Sequence, residues 1–144
     1  MVRKTVLTIT LITGCVWCLA LASRADSAHS APAIGSFKPV ATVESLMHGQ
    51  KHYFKAINRK LRKKNSPKRN GDIAEAAEVL AELANVNRYN KDKDDYRTWA
   101  TQLRDTALEL AREAKKKADA SDDRMQTLLA SLKSACGACH DAYQ

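Results

Sequence analysis

The amino-acid sequence predicts an all-α protein folded as an antiparallel four-helix bundle. Its 144 residues include only 5 Gly and 3 Pro. Residues that favour helices, such as Ala, Leu, Lys, Arg and Glu, crowd the second half, whereas the alternation typical of strands is missing beyond the first dozen positions. This pattern excludes an all-β fold. The sequence also lacks a Gly-rich phosphate loop, which excludes the nucleotide-binding α/β folds.

Residues 1–25 are predicted to be a secretory signal peptide. Arg3 and Lys4 precede an apolar stretch over residues 5–22, and small residues follow where a signal peptidase cuts. A retained membrane anchor is the alternative, because about 18 apolar residues approach the length that spans a bilayer. Residues 12–15 also resemble the cleavage box of a bacterial lipoprotein. We therefore expect export to the periplasm, with membrane association only if this segment is retained or lipidated.

Residues 26–41 are predicted to form an extended lead-in, and residues 42–144 the helical domain. The lead-in contains Pro32 and Pro39, small residues and no helical period. From Thr42 onward, apolar residues recur every three or four positions, as they do on one face of a helix. A domain of this size buries roughly 65% of its unfolded surface, so its margin of stability is modest.

Two helices are predicted in the first half of this domain. The first runs from Thr42 to about Lys64, before the turn-rich residues 65–71. Its inner face contains Val43, Leu46, Met47, Gln50, Phe54, Ile57 and Leu61. The second begins at Asp72, which with Glu75 forms an acidic variant of the capping box, and ends near Arg88. Its inner face contains Ile73, Ala76, Ala77, Leu80, Leu83, Ala84 and Asn87.

Two further helices follow. The third is capped by Asp95 and fades at residues 115–117, three lysines that suit a helix C-terminus. Its inner face contains Tyr96, Trp99, Leu103, Ala107, Leu110 and Ala114. The fourth is capped by Ser121, and its inner face contains Met125, Leu128, Leu129, Leu132, Cys136, Cys139 and Tyr143. Four amphipathic helices joined by short links pack most simply in an up-down-up-down arrangement.

The exported part of the chain contains two cysteines, and both lie in the motif Cys136-Gly137-Ala138-Cys139-His140. C-x-x-C-H is the attachment signature of c-type haem. Two thiols at this spacing reach the two vinyl groups of one porphyrin, while the next residue brings an imidazole to the iron. The small Gly137 and Ala138 are expected to let the backbone approach the ring. The motif predicts one covalent haem c attached to Cys136 and Cys139, with His140 as an axial iron ligand.

Three other chemistries compete for these residues. A Cys136–Cys139 disulfide would suit an oxidising compartment and would belong to a haem-free helical module. A thioredoxin-type redox pair expects a neighbouring βαβ pattern, which the sequence lacks. A closed zinc site needs four ligands, and the motif supplies three. The coincidence of the motif with export and a helical bundle favours haem, whereas Cys15 and Cys18 lie in the leader without a following His and should carry none.

The sequence resembles the class II cytochromes c, the family of cytochrome c′ and its low-spin relatives. The resemblance covers about residues 42–144 and is most specific over residues 136–143, Cys-Gly-Ala-Cys-His-Asp-Ala-Tyr. It implies that the haem lies inside the bundle, attached near the C-terminus and covered on its other face by the first helix. Cytochrome c′ leaves that face without a protein ligand and binds small gases, whereas the low-spin relatives supply a methionine and carry electrons.

The resemblance aligns Met47 with the residue that covers the second face of the iron. A thioether ligand there would raise the reduction potential and favour electron transfer. The alternative is that Met47 is a flexible core residue, and Val43 stands where the family commonly has an arginine. His48 and His52 are the other donors on this helix, but neither shares the direction of Met47, so we expect both to be exposed. Ligation of the iron by a second histidine is the alternative, since imidazole is a competent iron ligand.

These features predict a periplasmic electron carrier with one haem iron and no substrate turnover, so the protein is not expected to be an enzyme. The alternative is a five-coordinate protein that binds NO or CO. Residues 51–69 contain nine basic residues and no acid, and they form either a solvated face or a docking surface for an acidic redox partner. Nucleic-acid binding is not expected, because the chain carries a leader and no recognised nucleic-acid motif. A homodimer is left open.

Overall fold

The computed structural model describes residues 37–63 and 66–143, and this part of the chain is helical without any strand. Four long helices follow one another: α1 (Val43–Arg62), α2 (Arg69–Asn87), α3 (Asp94–Lys115) and α4 (Asp122–Tyr143), with a short 3-10 turn at Lys117–Asp119. The predicted leader, residues 1–25, and the lead-in up to residue 36 lie outside the described residues. Among the helices described, none has the length and apolar character needed to cross a bilayer.

Hydroxyl caps begin two of the helices. At α1, Thr42 accepts a hydrogen bond on Oγ1 from the backbone N–H of Ser45 at 3.2 Å. At α4, Ser121 accepts one on Oγ from the backbone N–H of Arg124 at 3.2 Å, which confirms the predicted cap. Each bond satisfies one of the backbone donors that a helix N-terminus leaves without an intrahelical partner.

The predicted starts of the two middle helices were wrong by one to three residues. Helix α2 begins at Arg69, so Asp72 lies inside its first turn, and its carboxylate forms a salt bridge with Lys60 of α1 instead of capping. Helix α3 begins at Asp94, one residue before the predicted cap Asp95. Acidic residues in a first turn still suit the positive end of the helix dipole, which explains why they signalled these helices.

Consecutive helices run antiparallel, because contacts also join the end of a helix to the first half of the one before it: Tyr143 of α4 donates to Asp95 of α3, and Lys115 of α3 pairs with Glu78 of α2. The end of α2 meets the start of α3 where the Tyr96 hydroxyl donates to Asn87 Oδ1 at 2.8 Å. The end of α3 meets the start of α4 where the backbone N–H of Ser121 donates to Glu113 Oε1 at 2.9 Å. Helix α1 packs extensively on α2 and only sparsely on α4. The structure therefore confirms the all-helical fold, with a gap between its first and last helices.

A continuous apolar core fills one half of the bundle. Its most deeply buried large side chains are at most 2% exposed and come from all four helices: Ile57, Leu61, Ile73, Leu80, Leu110, Met125 and Leu132. Burying one such side chain contributes about 1.5–3 kcal/mol. Helix α2 adds closely packed alanines, including Ala77, Ala81 and Ala84. Four other residues of the predicted inner faces are only half-buried, namely Met47, Phe54, Trp99 and Cys136.

Arg69 joins three helix ends in the packed half. Its side chain is buried, and its guanidinium donates to the carbonyl oxygens of Lys60 at 3.1 Å and Leu61 at 3.3 Å. The same group pairs with Asp122 at 2.8 Å. It therefore supplies donors to two carbonyls in the last turn of α1, and the Lys60 carbonyl also accepts from the backbone N–H of Lys63 at 3.0 Å.

We expect Arg69→Ala to lower the free energy of unfolding by about 1–3 kcal/mol, because the buried contact to the Leu61 carbonyl and the pairing with Asp122 are lost. Chemical denaturation monitored by circular dichroism measures this loss. Arg59→Ala is the matched control, since Arg59 is exposed on α1, and we expect a change within about 0.5 kcal/mol. Equal effects of the two substitutions would contradict the assigned role of Arg69.

Candidate functional site

A cavity of about 750 Å³ opens at the end of the bundle where α1 begins and α4 ends. Helices α1 and α4 both contribute to its wall and make few contacts with each other. Small-molecule and cofactor sites in proteins have volumes of about 300–1,000 Å³. Apolar side chains from α1 and α2 form part of the wall, namely Val43, Met47, Phe54 and Leu80. The bundle thus has a packed half and a half with room for a ligand.

The structure brings all four predicted site residues to the wall of this cavity. Cys136, Cys139 and His140 line it from α4, and Met47 lines it from α1. His48 also lines the cavity, although its side chain is exposed. His52 does not; its ring packs edge-on against Tyr53 with 5.1 Å between ring centres. Of the alternative nitrogen donors on α1, only His48 therefore reaches the wall.

Helical spacing explains why the motif faces one way. Residues three and four apart share a face of a helix, so Cys139 and His140 both lie beside Cys136 on α4. Gly137 and Ala138 lie between them, are exposed and do not line the cavity. A Cβ atom added at Gly137 would meet no other residue within 4 Å. The expectation that these two residues are small to allow close approach to a ring stays a prediction.

Both cysteines carry free thiols and are half-buried. Burial raises the pKa of the Cys136 thiol, and the nearby Cys139 raises it further. Burial also raises the pKa of Cys139, against the opposing effect of the Lys91 ammonium. The thiols therefore stay protonated at neutral pH. Thiol–disulfide oxidoreductases depend on a lowered cysteine pKa, so this environment does not favour a redox-active pair.

An aromatic cluster fixes the end of α4 against the start of α3. The Tyr143 ring packs edge-on against Tyr96 and Trp99, with centroid distances of 5.3 and 5.7 Å. The Tyr143 hydroxyl donates to Asp95 Oδ1 at 2.7 Å. This bond raises the pKa of Tyr143 to about 12 and lowers the pKa of the Asp95 carboxyl. The contacts hold the turn of α4 that carries the C-x-x-C-H motif.

We expect Tyr143→Phe to raise the pKa of Asp95 towards the ordinary carboxyl value, because the hydroxyl is the largest cause of its lowering. A carboxyl with a lowered pKa stabilises the folded state above its unfolded-state pKa, and this contribution is lost as the pH falls through the lowered value. In the variant this contribution should be smaller, and what remains of it should be lost at a higher pH. Carbon NMR titration of Asp95 measures the shift, with Tyr53→Phe as a control that leaves it unchanged. An unaltered titration in Tyr143→Phe would exclude the hydrogen bond as its cause.

Gln50 is a site residue whose role the sequence did not reveal. It lines the cavity and is only 5% exposed, and within the described residues its Nε2 atom has no hydrogen-bond partner. Leaving a buried donor without a partner costs about 1–3 kcal/mol. Its position on the inner face of α1 was predicted, but a helical period does not show whether an amide finds an acceptor. A ligand that brings an acceptor, or reorients the amide, would remove this cost.

The basic residues over 51–69 do not form one surface. Arg69 is buried, and Lys60 is paired with Asp72. Four others are exposed along α1 at spacings of three and four residues: Lys51, Lys55, Arg59 and Arg62. Residues at these spacings share a helix face. The exposed basic surface is therefore a stripe on α1, which we call the α1 basic stripe, and its first member also lines the cavity.

The chain matches no protein-family model, no curated protein and no solved structure. The resemblance to class II cytochromes c therefore rests on the residues quoted for it.

Proposed function

We propose that the protein is an exported c-type cytochrome that carries single electrons through one covalently attached haem. Cys136 and Cys139 would be its attachment points, His140 its first axial ligand and Met47 its second. The observation that carries this proposal is that these four side chains, from opposite ends of the folded chain, line one cofactor-sized cavity. Attachment and axial ligation need this convergence.

The residues of the cavity fit this cofactor chemically. Each thiol would add across one vinyl double bond, with sulfur on one carbon and the thiol hydrogen on the other, so the addition needs no oxidant. A protonated, half-buried thiol on the cavity wall suits this use. The unpartnered amide of Gln50 offers a donor to a ligand with oxygen acceptors. Apolar side chains such as Phe54 and Leu80 suit a flat aromatic ring system.

The protein residues would bind, orient and shield the cofactor. Haem bound here supplies one-electron chemistry between Fe(III) and Fe(II). Ligation by His140 and Met47 would raise the reduction potential and close the iron to exogenous ligands. Val43, Phe54 and Leu80 would exclude water from the ring, and water exclusion is one of the ways in which a protein sets a redox potential. We propose no substrate turnover.

The leader and the surface charge suggest where such a carrier works. Residues 1–25 have the layout of a secretory signal, which suits the periplasm. The α1 basic stripe lies beside the cavity and would suit an acidic redox partner, whose association would weaken as salt is added.

Absorption spectra of the purified protein, oxidised, reduced and reduced with carbon monoxide, test the proposal. Low-spin bands that carbon monoxide leaves unchanged are expected for an electron carrier with two protein ligands. High-spin bands that shift with the gas would contradict the electron carrier and support the gas-binding alternative. A protein without porphyrin absorption, made in a host that attaches haem, would reject both and favour the haem-free helical module.

A further inference from the structure

The cavity wall carries more positively charged than negatively charged side chains. Lysines reach it from three separate elements: Lys51 on α1, Lys91 in the α2–α3 loop and Lys133 on α4. Among the lining residues within 37–63 and 66–143, Glu44 is the only one with a carboxylate side chain. Three ammonium groups against one carboxylate make the wall electropositive, and an electropositive cavity favours an anionic ligand.

Lys91 is the most constrained of these lysines. It is half-buried, and its Nζ lies 4.5 Å from the ring centre of Tyr143 and 5.7 Å from that of Tyr96. These cation–π contacts fix the ammonium without neutralising its charge. Asp95 is nearby, but its carboxylate accepts the hydrogen bonds of the Tyr143 hydroxyl and of the Tyr96 backbone N–H.

Lys51 and Lys133 lie on the two helices that flank the gap in the bundle. Both are exposed, so their long side chains can reach a ligand at the opening. Across residues 37–63 and 66–143, neither of them nor Lys91 takes part in a salt bridge. The lysines are therefore available to pair with a ligand.

The same wall is apolar elsewhere, at Val43, Phe54 and Leu80. A ligand that complements both the lysines and the apolar residues of the wall must have an apolar body and more than one anionic group. Because an ammonium near a low-dielectric cavity gains most from a partner of opposite charge, the anionic groups should lie against the lysines.

We propose that Lys91, assisted by Lys51 and Lys133, binds the carboxylate groups of the ligand in this cavity. The proposal rests on the proposed function, in which the ligand is haem and the carboxylates are its two propionate side chains. It adds which side chains would hold the propionates: Lys91 first, with Lys51 and Lys133. Lys91 is then a positioning residue for the cofactor.

The holoprotein provides the first test. In Lys91→Gln the reduction potential of the haem should fall, because an unpaired propionate charge disfavours the added electron, and Lys91→Arg should restore it. Lys55→Gln is the matched control, since Lys55 lies in the α1 basic stripe without lining the cavity, and its potential should equal that of the wild type. Equal potentials in Lys91→Gln and the wild type would overturn the role of Lys91.

A second test changes the ligand instead of the protein. In the full chain with Cys136→Ala and Cys139→Ala, haem binds without covalent attachment, and its affinity can be compared with that of haem dimethyl ester. We expect the ester to bind about tenfold or more weakly, and Lys91→Gln to reduce this ratio. Equal affinities for the two ligands would overturn carboxylate recognition. If this chain does not fold, the potentials of the holoproteins decide alone.

The two proposals fail in different ways. A wild-type protein that carries no haem would reject the proposed function. A wild-type protein that carries haem, but whose potential and ester discrimination are insensitive to Lys91, would reject only the binding of carboxylates by these lysines.

Discussion

Cys139→Ala is expected to prevent stable double attachment of haem and to destabilise the bundle. The variant loses one thioether, so its haem should be held by a single bond or lost during denaturing extraction. Without the cofactor, the cavity of about 750 Å³ stays open to water and the apolar side chains on its wall remain hydrated. We expect the free energy of unfolding to fall by at least about 3 kcal/mol relative to the holoprotein, as in large core truncations.

Haem-stained denaturing gels and thermal unfolding measure these two effects. Ser134→Ala is the matched control, because Ser134 is exposed on the same helix and does not line the cavity. It should keep both the haem and the wild-type stability. A Cys139→Ala protein that is as stable as the wild type, without bound haem, would show that the cofactor is not part of the interior.

Met47→Leu is expected to convert a low-spin haem to a high-spin haem that binds carbon monoxide. Leucine keeps the size of the side chain, and such exchanges usually cost less than about 1.5 kcal/mol, so the fold should persist. Only the thioether sulfur is removed. Because the iron would then have one open axial position, the reduction potential should also fall.

Met125→Leu separates this effect from the general loss of a methionine. Met125 is fully buried in the packed core and does not line the cavity. Its substitution should leave the spectrum unchanged. If Met47→Leu also leaves a low-spin spectrum unaltered, Met47 is not the ligand, and His48, the other donor of α1 on the wall, becomes the next residue to substitute.

The helices could be predicted from the sequence because their signals are local. Ile57, Leu110 and Leu132 lie on faces that a helical period identifies, and all are buried as predicted. The Ser121 cap acts within three residues of itself, so the sequence contained everything needed to find it. The starts of α2 and α3 were missed because Asp72 and Asp95 bind distant partners, Lys60 and Tyr143.

The cavity could not be predicted from periodicity. Met47 and Phe54 share an inner face with Ile57, yet they line an opening while Ile57 is fully buried. Helix α1 packs extensively on α2 and only sparsely on α4, so the room beside Met47 depends on how helices distant in the sequence pack. The spacing of apolar residues predicts which face of a helix turns inward. It does not predict the distance to the helix that this face meets.

The site residues also differed in how far each could be predicted from the sequence. Cys136, Cys139 and His140 form a local motif, so their chemistry could be predicted from five consecutive residues. Met47 required a resemblance to a family, because a methionine on an apolar face has no signal of its own. No sequence feature identified Lys91 as a site residue. Its position on the wall depends on the Tyr96 and Tyr143 rings, which lie on different helices.

The mass of the intact, exported protein is the most direct measurement. It should be determined after denaturation, on material produced in a bacterial host that attaches haem to C-x-x-C-H motifs. We expect the mass of the chain without its leader plus that of one haem, and the Cys136→Ala, Cys139→Ala chain should lack the added mass. A wild-type protein with the mass of the bare polypeptide would contradict covalent attachment at Cys136 and Cys139.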